Sequence, residues 1–150
     1  MHSVTRDGVS IEYGFDGPGD GPTVLLLEGL GYGRWMWRWL TDALTDEYEV
    51  IRPDNRGTGG SDVPEGPYTV AEMAADARAV LDDHGADRVH VCGASMGGMI
   101  AQELAVADDR VASLTLLCTS PGGDDAVETP AAVQEHLFSV PDEHGPTART

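Results

Sequence analysis

Val24-Leu25-Leu26-Leu27 lacks the apolar–polar alternation of a half-exposed strand, and Val89-His90-Val91-Cys92 and Val111 to Cys118 are similarly apolar-rich. Short runs of this kind suit strands covered on both faces, as in a parallel sheet flanked by helices. Parallel neighbours need long crossovers, and the stretches between these runs carry helical spacing. Met36, Trp37, Leu40 and Leu44 recur at helical intervals within Arg34 to Leu44, with Trp35 and Trp39 flanking, before the strand-like Tyr48-Glu49-Val50-Ile51. Thr69 opens a second helix. Glu72 stands three residues on, as in a capping box, Val70, Met73, Ala74, Ala77 and Leu81 form one stripe, and Gly85 fits a left-handed C-cap. Met96, Met99, Ile100 and Leu104 mark a third helix that stops near Asp108-Asp109. Strand alternating with helix predicts an α/β fold, a mostly parallel sheet with helices on both faces. Val9 to Phe15 alternates and runs into the turn formers of Asp16 to Pro22, which predicts an edge hairpin strand.

The chain has 150 residues, one domain's worth. It holds no apolar run near the roughly 18 residues that would suggest a membrane span, and Met1 to Asp7 carries neither a basic nor an apolar signal segment. A cytoplasmic protein with no membrane partner is expected. Asp and Glu number 26 against 9 basic residues, every one of them Arg, for a formal net charge of -17. Phosphate binding needs a basic surface, so nucleic acid is excluded as a partner. Self-repulsion on this scale is screened when the Debye length falls to about 3 Å near 1 M salt, and a salt-loving source is expected. Cys92 and Cys118 each lie in an apolar run and are expected as buried core filler. Two isolated thiols give no ligand spacing, so neither a metal nor a cofactor is expected.

Gly93-Ala94-Ser95-Met96-Gly97 reads G-x-S-x-G directly after an apolar strand and directly before a helix, the context that gives this motif meaning. Ser95 is the candidate nucleophile. At the tip of so sharp a turn, positions two before and two after approach too closely for side chains, hence the structural glycines Gly93 and Gly97. Met96 N–H, at the start of the next helix, points at developing negative charge and is one candidate oxyanion donor. A second donor comes from the loop after an earlier strand. Glu28-Gly29-Leu30-Gly31 is in the right order, with Leu30 N–H as the candidate. A carboxylate aimed into that hole would oppose an oxyanion, so Glu28 is expected to point elsewhere.

Across roughly residues 4 to 123 the sequence resembles the α/β-hydrolase superfamily. Asp54-Asn55-Arg56-Gly57-Thr58-Gly59-Gly60-Ser61-Asp62 is similar to its D-x-R-G-x-G-x-S-D stretch. An architectural role is expected there, with Asp54 capping turn N–H groups and Arg56 held by carboxylates near the active-site rim. Gly66-Pro67-Tyr68-Thr69 with Cys92 to Gln102 resembles the 3-oxoadipate enol-lactone hydrolases. Glu28 to Gly31 and Thr119 to Gly123 look more like esterases of a group that includes polyketide methylesterases. Many superfamily members carry His-Gly where this chain has Glu28-Gly29.

The resemblance implies a three-layer α/β/α hydrolase fold, incomplete at its C-terminal side. Residues 1-123 would be the N-terminal part of the core and 124-150 the start of a cap or connecting region. It implies hydrolysis of a small-molecule carboxylic ester or lactone through a serine acyl-enzyme, whereas dehalogenases and epoxide hydrolases use an Asp nucleophile at the elbow. The triad acid and His should follow Ser95 in that order. Asp124 or Asp125 with His136 or His144 keeps the order but leaves no later strand to bring the base to Ser95. Neither partner is therefore identified, and both are expected beyond these residues. His84 and His90 precede Ser95 and read as structural. The alternative is a non-catalytic remnant that binds a small molecule or a partner chain; no oligomeric state follows from the sequence.

Overall fold

A computed structural model describes residues 1–123 and 126–138. Its strands are β1 (His2–Arg6), β2 (Val9–Asp16), β3 (Thr23–Leu27), β4 (Glu49–Pro53), β5 (Val89–Ala94) and β6 (Val111–Leu117). A 3-10 turn (Arg34–Trp37) leads into α1 (Arg38–Leu44), followed by α2 (Val70–His84), α3 (Met96–Ala107) and α4 (Ala131–Phe138). The sheet runs β1-β2-β4-β3-β5-β6. β3 pairs in parallel with both β4 and β5, and β5 with β6, while β1–β2 and β2–β4 are antiparallel.

The unbroken apolar run of β3 is explained by two cores. Leu25 and Leu27 face one side with Met73, Ala77, Leu81, Ile100 and Leu104 of α2 and α3. Val24 and Leu26 face the other with Trp37, Met36, Leu40 and Leu44. Successive side chains of a strand point to opposite faces, so a strand between two helical layers has no polar side to show. α2 is bounded as its sequence requires. Thr69 Oγ1 accepts Glu72 N–H at 3.1 Å, Glu72 Oε2 accepts Thr69 N–H at 2.9 Å, and Gly85 closes the helix at φ 82.

Two expectations are corrected. Val9 to Phe15 is not the edge, because β1 pairs outside it, and the hairpin turns at Asp7-Gly8 rather than at Asp16 to Pro22. Asp7 and Gly8 have φ 51 and φ 82, the two positive values a type I′ turn demands. Cys118 is not core filler. It is exposed just past the end of β6, whereas Cys92 is buried. β6 itself is an edge strand with Leu114, Leu116 and Leu117 exposed.

Val111 to Leu117 contains no charge and no proline, the features with which edge strands normally resist pairing. Expressed as these 150 residues, the protein should elute from gel filtration as an oligomer, and Leu116→Arg should shift it toward monomer. A clean wild-type monomer at micromolar concentration would show that this edge does not associate.

Candidate active site

β5 ends at Ala94 and α3 begins at Met96, leaving Ser95 alone between them at φ 53, ψ −117. A non-glycine residue there costs about 1–3 kcal/mol and persists only where its surroundings over-determine it. Ser95 N–H donates to the Leu117 carbonyl at 2.9 Å, and the Ser95 carbonyl accepts Thr119 Oγ1–H at 2.6 Å and Gly98 N–H at 3.0 Å. The glycines are fixed by space. A Cβ on Gly93 would overlap the Gly97 carbonyl, and one on Gly97 would overlap the carbonyls of Leu27 and Glu28. Ser95 is exposed, and Met96 N–H is one of the first-turn donors that an α-helix leaves without an internal acceptor.

The loop after β3 runs beside this serine. A Cβ placed on the buried Gly29 would lie 3.5 Å from Ser95 Cβ and 3.9 Å from the Tyr32 ring. Tyr32 N–H donates to the Gly29 carbonyl at 3.2 Å across a turn with Gly31 at φ 76, the type II pattern. Leu30 sits exposed at the corner of that turn. Glu28 is fully buried, and its Oε1 accepts Asn55 N–H at 2.7 Å, toward the loop after β4. Burial pushes its carboxyl up to about 8, with Asp54 adding and the N–H groups and Arg34 opposing.

Asp54 caps as expected. Its Oδ1 accepts Arg34 N–H at 2.7 Å, while its Oδ2 accepts Gly60 N–H at 3.0 Å and Arg34 Nη1–H at 2.6 Å. Arg56 is held by a carboxylate but lies in the interior rather than at a rim. It donates through Nε and Nη2 to Asp76 of α2 at 2.6 and 2.9 Å, both side chains being 5% exposed. Thr119 and Leu117 pin the backbone of Ser95, a role for which the sequence offered no signal. They arrive through the parallel β5–β6 register, in which Ala94 lies opposite Leu117.

The described histidine side chains are engaged elsewhere. His84 Nε2 faces Glu49 Oε1 at 3.1 Å, His90 Nδ1 meets Ser113 Oγ at 2.8 Å, and His2 stacks against Tyr13 and Phe15. Asp124, Asp125, His144 and the side chain of His136 lie outside the described residues. Among the described residues no three His, Cys, Asp or Glu side chains gather as a metal site. A cavity of about 690 Å³ lined by Phe15, Thr23, Glu49, His84 and Arg88 lies at the amino ends of the parallel strands. Ser95 is at the carboxyl ends, where ligands of open α/β sheets bind.

Residues 22–148 match the model of a family described as the alpha/beta hydrolase fold. The chain belongs to this family. Over 100 residues this α/β hydrolase is 43% identical to a putative carbamate hydrolase, RutD, of Azorhizobium caulinodans, covering 66% of this chain and 38% of that relative. It is 35% identical over 104 residues to 3-oxoadipate enol-lactonase 2 of Acinetobacter baylyi, covering 69% and 39%. The crystal structure of the enol-lactonase from Burkholderia xenovorans LB400 superposes with a TM-score of 0.76 at 33% identity, over 79% of this chain and 47% of that one. The chain thus spans less than half the length of each.

Asp76 accepts from both Arg56 and Arg6, the latter at 2.7 Å. Removing one partner of a buried ion pair strands the other. Asp76→Ala should lower stability by about 3–5 kcal/mol in urea titration, far more than Asp→Ala at the exposed Asp7.

Proposed function

We propose that this α/β hydrolase carries the nucleophile half of a serine hydrolase acting on carboxylic ester or lactone bonds. The observation that supports this most strongly is an exposed Ser95 held at positive φ between β5 and α3, beside the Gly29-Leu30 loop. Ser95 Oγ attacks the substrate carbonyl and gives up its proton to a base. Met96 and Leu30 N–H groups receive the charge that develops on the carbonyl oxygen. Collapse of the tetrahedral species expels the alcohol oxygen, which takes that proton, and water then attacks the acyl-enzyme to release the acid and restore Ser95. Loss of one oxyanion donor costs about 10²–10³ in rate. Leu30, Tyr32 and Trp35, in and just after the same loop, are exposed, with the Tyr32 and Trp35 rings 5.4 Å apart. Residues 1-123 make the first part of the catalytic core and 124-150 begin a cap or connecting region. The base and its orienting acid follow in later sequence.

A second reading, in which the chain binds an acyl compound or a partner without turnover, draws on the other engagements of His2, His84 and His90. Labelling with a fluorophosphonate serine-hydrolase probe in molar salt separates the two. Within its complete coding sequence the protein should label, and Ser95→Ala should abolish the signal. Undiminished labelling of Ser95→Ala would refute the assignment, and a complete protein that does not label would favour binding without turnover.

A further inference from the structure

Glu28 is the residue of the oxyanion loop for which acyl transfer has no use. Its side chain is fully buried, Oε1 accepts the backbone N–H of Asn55 at 2.7 Å, and Oε2 has no hydrogen-bond partner among the described residues. The same chain continues directly through Gly29 to Leu30. We propose that Glu28 is a positioning residue for the Gly29-Leu30 loop, and that it holds Leu30 beside Ser95 only while its carboxyl carries a proton. The catalytic part of this inference rests on Leu30 being an oxyanion donor.

A neutral carboxyl tolerates a fully buried site with few hydrogen bonds. A carboxylate there would keep only backbone N–H groups, those of Asn55 and of Glu28 itself, and leave its second oxygen without a partner among the described residues, a far larger cost. Ionisation therefore requires the side chain to leave or water to enter, and the backbone can yield on one side only. Toward α3 the Glu28 carbonyl is packed against Gly97, where even a Cβ would not fit. Toward Leu30 the chain passes through Gly29, and Gly31 just beyond Leu30 already stands at φ 76. Movement is thus directed into the segment that presents Leu30.

The charged groups facing Glu28 are Asp54, which opposes its ionisation, and Arg34, which favours it. These two are themselves paired at 2.6 Å. β3 and the first turn of α3 carry no ionisable side chain. On β5 the ionisable residues are His90 and Cys92, opposite Val24 and Leu26. On β4 they are Glu49 and Arg52, which face His84 and Asp16. Burial lifts the Glu28 carboxyl from 4.5 to about 8. The folded state then keeps a proton that the unfolded chain loses, so the contribution to stability falls as pH rises from about 4.5 to about 8 and is level above that.

The test is amide hydrogen exchange by mass spectrometry on the wild type and Glu28→Gln, each pH being compared between the two so that intrinsic exchange chemistry cancels. Gln keeps a carbonyl for Asn55 N–H and cannot ionise. The peptide spanning Leu27 to Tyr32 should exchange alike in both below neutrality and faster in the wild type above a midpoint near 8. Infrared spectra of the wild type supply a check that needs no variant: a protonated-carboxyl band at neutral pH that fades through the same midpoint. Equal exchange at every pH, or no such band, overturns the proposal. In the complete protein, probe labelling should fall about 10²-fold above that midpoint, as for a lost oxyanion donor, and Glu28→Gln should keep its alkaline rate. Labelling that ignores pH while the loop opens would overturn the role of Leu30 rather than the loop's dependence on Glu28.

Discussion

α3 starts so close to the end of β3 that the carbonyls of Leu27 and Glu28 fill the space a side chain at position 97 would need. This contact sets the geometry of everything around Ser95. It forces glycine at 97, and the matching approach of Gly97 to the end of β5 forces glycine at 93. The one residue left to make the turn must take a positive φ, and that residue is a serine. The same contact brings the loop leaving β3 against the elbow, so that a Cβ on Gly29 would lie 3.5 Å from Ser95 Cβ although the two residues are far apart in sequence.

Around this contact the few cations act as internal ties. Arg6, Arg34, Arg52, Arg56, Arg78 and Arg110 all lie within ion-pair distance of carboxylates. Arg34 links the 3-10 turn to Asp54 after β4 and to Glu12 of β2, and Arg56 ties the same loop to α2 through Asp76. An Arg fork matches a carboxylate with two parallel bonds, which holds direction as well as distance. Bonds of this kind keep the β3 and β4 loops in place on a molecule whose net charge of -17 would otherwise push its parts apart.

Elements whose pattern is local were legible from the residues alone. The capping box of α2, its glycine stop and the strand-turn-helix around Ser95 each follow from neighbours within a few positions. β1 was not, because His2-Ser3-Val4-Thr5-Arg6 is an edge strand with little apolar surface to bury. Its pairing is made by backbone bonds that any side chain permits, and the Asp7-Gly8 dipeptide was its one local sign. Val111 to Cys118 misled in the opposite sense. Its apolar residues fit a covered strand, yet among the described residues no strand lies beyond β6, and Cys118 falls outside it in the left-handed region at φ 42.

The sequence by itself determined the order of strands and helices from β3 to β6, the two-sided core and the identity of the elbow, since periodicity, caps and steric limits on a tight turn act over short distances. Tertiary structure alone decided which distant groups meet. Thr119 reaches the Ser95 carbonyl, Asn55 holds the Glu28 carboxyl, and Asp76 collects Arg6 and Arg56. Those contacts depend on sheet order and register, which place β3 between β4 and β5, and on burial. Burial above all turns Glu28 from one acidic residue among many into a carboxyl that resists ionisation, with Asp54 adding to it, because the energy of a charge is set by the medium around it.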